Sequence, residues 1–107
     1  MKLVIIESPY QGDVEANLIY ARACIRDSLM RGEAPIASHL LYTQPGILDD
    51  AKPAERQHGM SAGWEWIRRA DLVVAYIDRG ISDGMRGGLA RAASMGVETT
   101  QRRLGHK

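Results

Sequence analysis

Two short apolar runs, KLVIIE at residues 2–7 and LVVAYI at residues 72–77, have no polar residue in their middles. Their length and β-branched content predict strands covered on both faces, the pattern a parallel sheet demands. Between them the period changes. Val14, Leu18, Ala21, Ile25 and Leu29 recur at spacings of three and four, with Glu15, Arg22, Arg26 and Arg31 on other faces. This predicts an amphipathic helix, begun by Asp13 as N-cap and stopped by Gly32.

Residues 34–39 (APIASH) predict a short second strand. Residues 40–52 predict a long loop with a Pro45-Gly46 turn, and Pro53 suits the first turn of a second helix. Met60, Trp64 and Ile67 give that helix its apolar stripe. Gly59 and Gly63, on or near the stripe, weaken the helix and imply a close approach to a neighbour. A third helix runs from about Gly84 to Met95, with Met85, Leu89, Ala92 and Ala93 inward and Gly96 as its stop. Val97 to Thr100 predict the last strand.

Strands alternating with helices imply right-handed crossovers and a parallel sheet. The expected architecture is a three-layer, flavodoxin/Rossmann-like α/β domain with four strands in the order 2-1-3-4. Residues 1–101 make one domain, and the basic residues 102–107 make a mobile tail.

Composition narrows the function classes. At 107 residues and a net charge of +1, the chain offers one core and no bulk electrostatic attraction to nucleic acid or a membrane surface. Cys24 is the sole cysteine. With His39, His58 and His106 it makes no metal-ligand spacing, so neither a metal nor another cofactor is expected. The apolar run at Leu3–Ile6 is too short for a signal peptide or membrane span, which predicts a cytoplasmic setting. So short a chain exposes much surface, and a homo-oligomer is the expected remedy. Trp64 is assigned to the core and Trp66 to an interface. Without a basic stripe, neither builds a nucleic-acid stacking platform.

In such a sheet, ligands bind beyond the strand C-termini where the strand order reverses. That point falls between the first and third strands, at the loops Glu7–Asp13 and Asp78–Met85. In the second loop, ISDGM feeds a helix N-terminus whose amides can hold an anion. Ser82 can donate a hydroxyl, Gly84 lets a ligand approach the backbone, Met85 is a ligand contact in the same loop, and Arg86 can add a charged fork for phosphate. The plainer alternative is that Ser82 or Asp83 caps the helix and Arg86 is solvated. The loop is neither a Walker loop nor a GxGxxG fingerprint. In the first loop, Ser8 can line the crevice and Tyr10 can stack on a base. Asp13 can bond a sugar hydroxyl or simply cap. Asp78 offers a carboxylate at a strand exit or serves as a turn residue. His39, ending the second strand, reaches the pocket or stays structural. Cys24 is read as inert.

The segments SPYQGDVEANLIYAR (Ser8–Arg22), ASHLLYTQ (Ala37–Gln44), RADLVVAYID (Arg69–Asp78) and ISDGMRGGLARAASMG (Ile81–Gly96) resemble small phage and bacterial proteins of unknown function related to nucleoside 2-deoxyribosyltransferases. The resemblance implies a flavodoxin-like fold and oligomeric assembly. It also implies a glutamate nucleophile in the helix after the ligand loop, directly after a Gly-Met pair in some members. Gly84-Met85 matches that pair, but Arg86 follows it, so the expected nucleophile is missing. The first functional expectation is therefore binding of a nucleoside- or nucleotide-derived small molecule, for sensing or sequestration. The alternatives are an N-glycosidase or deoxyribosyltransferase using Asp78, and a structural oligomeric module packed through Gly87 and Gly88.

Overall fold

The computed structural model describes residues 1–105 and orders its elements as β1 (Leu3–Glu7), α1 (Val14–Met30), β2 (Ala34–Ile36), α2 (Ser38–Leu41), α3 (Pro53–Ile67), β3 (Leu72–Tyr76), α4 (Asp83–Ser94) and β4 (Glu98–Arg102). All strand pairings are parallel, in the order β2-β1-β3-β4. This is the expected flavodoxin-like order.

The two apolar runs occupy the two central strands. Every residue of β3 is buried, as are Val4, Ile5 and Ile6 of β1. Alternation then divides their side chains between two layers. Val4, Ile6, Leu72, Val74 and Tyr76 face Tyr20 and Cys24 of α1. Ile5 and Val73 face the opposite way, onto Ile67 of α3 and Ala92 of α4. Cys24 is fully buried, and burial pushes its thiol up to about 12, so it stays protonated. The edge strands are weaker in composition. β2 contains Pro35, tolerated where one side of the ladder is free, and β4 is the polar segment ETTQR. No helix among the described residues is long and apolar enough to cross a membrane.

Three boundaries differ from the sequence reading. The second strand stops at Ile36, and a helical turn follows because the amides of Leu40 and Leu41 donate to the Ala37 carbonyl. His39 is therefore a residue of α2, not the end of a strand. The third helix begins at Asp83 rather than Gly84, because Ser82 caps it. The last strand continues to Arg102, pairing Tyr76 with Arg102. The expected tail, 102–107, lies partly outside the described residues, as does His106. Within them, Arg102 bonds Glu33 at 2.7 Å and the Leu104 amide donates to Asp78 at 3.0 Å.

Candidate functional site

A cavity of about 530 Å³ opens at the C-terminal edge of the sheet, beside the β1–β3 crossover. Small-ligand sites commonly occupy about 300–1,000 Å³. Four segments wall it. The β1 exit supplies Glu7, Ser8, Tyr10 and Gln11, and α2 with its following loop supplies Ser38, His39, Tyr42 and Thr43. Helix α3 contributes Arg56, Met60 and Trp64, and the start of α4 contributes Ser82, Asp83, Gly84 and Met85. A second, more open hollow along residues 43–52 shares Tyr10, Gln11 and Asp50 with it.

The sheet's two-residue alternation decides toward which layer a strand's last residues turn. Glu7 shares the parity of Ile5 and so points toward α3 and α4. Its carboxyl rests against Gly88 of α4, where an added Cβ would fall 2.6 Å from the Glu7 Cδ. Only glycine leaves that seat open. No side chain or amide among the described residues hydrogen-bonds the carboxyl, and burial pushes its pKa up to about 8. Glu7 is therefore mostly a neutral acid at pH 7.

The next residue, Ser8, is buried, and its hydroxyl lies 2.6 Å from His39 Nε2. Burial lowers His39 to about 4, so its ring is neutral near pH 7 and can accept the hydroxyl proton. A serine beside a neutral imidazole resembles half of a nucleophile–base arrangement. Among the described residues, no carboxylate orients the other ring nitrogen, so the pair supplies a fixed hydrogen-bonding wall.

Ser82 caps α4: its hydroxyl accepts from the Met85 amide at 3.2 Å, and its own amide donates to Met85 Sδ at 3.4 Å. The Met85 side chain is thereby held at the cavity floor. Ser82→Ala is expected to cost about 1 kcal/mol in a denaturant melt. Unchanged stability would mean that water replaces the cap without loss.

Of the residues singled out from the sequence, the structure brings Ser8, Tyr10, His39, Ser82, Gly84 and Met85 to the cavity. Asp13, Asp78 and Arg86 do not line it. Asp13 caps α1 by accepting from the Ala16 amide at 3.2 Å. Asp78 shares the parity of Tyr76 and faces α1, where it accepts from the Tyr20 hydroxyl at 2.5 Å and from the Leu104 amide. Burial would raise its pKa, but those bonds outweigh it and hold the carboxyl low. Arg86 is exposed and pairs with Asp83 at 3.0 Å. Glu7 and the aromatic wall of Tyr42 and Trp64 were not singled out as site residues. The parity of the KLVIIE run was the available signal for Glu7.

A family model described as a domain of unknown function, DUF7768, matches residues 2–102. No curated protein sequence matches the chain. Among solved structures, it is similar to the 2-desoxiribosyltransferase from Leishmania mexicana, with a TM-score of 0.66, 16% identity and 96% of this chain covered. The chain spans 65% of that protein's length. It is also similar to the 2-deoxyribosyltransferase from the psychrotolerant bacterium Bacillus psychrosaccharolyticus, at TM-score 0.65 and 16% identity, covering 98% of this chain and 74% of that one. For the CMP N-glycosidase from Clostridium botulinum the TM-score is 0.55 and the identity 16%, with 95% and 69% of the two chains covered.

Proposed function

We propose that this chain, which belongs to the DUF7768 family, binds a nucleoside- or nucleotide-derived small molecule in the cavity at the C-terminal edge of its sheet. The observation that carries the proposal is the lining. Trp64, Tyr42, Tyr10 and Met60 offer apolar and aromatic surface for a base, while Ser8, His39, Gln11 and Ser82 offer hydrogen-bonding groups for a sugar. Gly84 and Met85 belong to the same proposed contact set. The activities named for the three similar structures, two deoxyribosyltransferases and a CMP N-glycosidase, agree with a ligand built on an N-glycosidic bond. A cytoplasmic setting and a homo-oligomer are part of the same reading. The exposed side chains of Leu41 and Trp66 support self-association.

The test is incubation with a pooled nucleoside and nucleotide library, followed by mass spectrometry of retained and free species. One or a few compounds should be retained, and Trp64→Ala should weaken retention about 10-fold through lost stacking. Retention of nothing from the pool, with no free base released from it, would refute the proposal. A second reading, cleavage or transfer at the N-glycosidic bond, is favoured by one further feature, the carboxyl group of Glu7.

A further inference from the structure

We propose that Glu7 is the general acid of an N-glycosidic hydrolysis carried out in this cavity, giving its proton to the departing base. This rests on the binding reading above and goes beyond it.

The geometry isolates Glu7 among the acids. It leaves the central strand β1 on the α3/α4 side, enters the ligand cavity, and occupies a seat that exists because residue 88 has no side chain. The charged and titratable groups facing the cavity from the surrounding elements are His39 of α2, Tyr42 after it, Glu55 and Arg56 of α3, and Asp83 of α4, with Tyr10 and Asp50 on the loops. None hydrogen-bonds the Glu7 carboxyl, and burial is the one cause of its raised pKa. Ser8, its chain neighbour, is already bonded to His39. A carboxyl without a partner, kept neutral at the wall of a ligand cavity, has its proton free for the ligand. The other carboxylate considered for this chemistry, Asp78, is bonded to Tyr20 and the Leu104 amide on the α1 side.

The step balances without any group beyond water. The bond between the anomeric carbon and the base nitrogen breaks, and its electron pair goes to the base, which takes the Glu7 proton. The oxygen of a water molecule bonds the anomeric carbon, and one water proton returns to Glu7. The products are free base and free sugar, or sugar phosphate if the ligand is a nucleotide. The carboxylate formed midway sits beside the positive charge that develops on the sugar ring, a charge it stabilises.

The experiment follows free base by chromatography for the full chain, Glu7→Gln, Glu7→Asp and Gly88→Ala, with the retained ligand measured in parallel. The parent should release base, and its rate should fall about tenfold per pH unit above about 8. Glu7→Gln should lose at least about 100-fold in release while retaining ligand. Glu7→Asp, which keeps the acid but withdraws it by one carbon, should lose less. Gly88→Ala, which pushes into the carboxyl's seat, should also slow release. Three results would overturn the inference: release by Glu7→Gln at the parent's rate, equal loss of binding and release in that variant, or a parent that holds its ligand intact. The last would leave the binding reading standing, whereas failure to retain or release anything would remove both.

Discussion

Glu7→Gln is expected to be more stable than the parent chain at pH 7, by about 2 kcal/mol. The unfolded Glu7 titrates near its ordinary value of 4.5, whereas in the folded chain burial holds it at about 8. Between those values the folded state keeps a proton that the unfolded state has released. Stability therefore falls as pH rises through this window, the opposite of the usual behaviour of a salt-bridged carboxylate. Each pH unit is worth at most about 1.4 kcal/mol, and partial exposure of the side chain reduces the sum. Glutamine matches the shape of the acid and carries no charge to desolvate, so its advantage should vanish below pH 4.5 and level off above about 8. Thermal melts of both proteins from pH 4 to 9 give the comparison. A parent as stable as the variant throughout would show that Glu7 ionises freely in the folded state. A destabilising acid kept at a cavity wall is the signature of stability exchanged for function.

Arg102→Met is expected to cost about 3 kcal/mol. Arg102 bonds Glu33 through both terminal nitrogens, at 2.8 and 2.7 Å, and both side chains are only 13% exposed. The Glu33 carboxylate also accepts from Ser28, and the Tyr76 hydroxyl donates to Asp27 at 2.7 Å close by. This network ties the polar strand β4 to the α1 layer. Removing Arg102 leaves a nearly buried carboxylate with a single neutral donor. The bonds from Arg102, outweighing burial, hold Glu33 at about 2, below its ordinary 4.5. The pair's contribution is therefore complete above pH 4.5 and lost as pH falls toward 2. In urea melts, parent and variant should differ widely at pH 7, less at pH 3, and converge as pH falls to about 2. Arg103→Met, at an exposed position, should change little at either pH. An Arg102→Met chain as stable as the parent at pH 7 would show that the pair only offsets its own desolvation.

The outline of the fold was legible because its strongest determinants are local. Continuous apolar runs can satisfy their side chains only when both faces are covered, so β1 and β3 had to be central. The 3.6-residue period of α1, its Asp13 cap and the alternation of strands and helices then limited the topology to few choices. Edges were less legible. The polar segment Glu98–Arg102 is a strand because β3 offers it a ladder, and its last residue is held by Glu33, distant in sequence. The turn of α2 depends on capture of the Leu40 and Leu41 amides by Ala37, for which APIASH carries no periodic signal.

For the site, the sequence pointed to the sheet edge and the two loops where the cavity opens, because strand order alone places the crossover. Ser8, Tyr10, Ser82, Gly84 and Met85 reach the cavity from those loops. His39 reaches it too, though from a helix. Proximity in those loops could not say which layer a side chain would join. Asp78 and Glu7 each stand at the exit of a buried strand, and both are carboxylates. The sheet's alternation sends Asp78 to Tyr20 in the α1 layer and Glu7 to Gly88 in the α4 layer. The sequence by itself determined a four-stranded parallel fold and the edge at which the cavity opens. The tertiary structure alone decided which acid faces the cavity and which is neutral, because both depend on what packs against a side chain across the sheet.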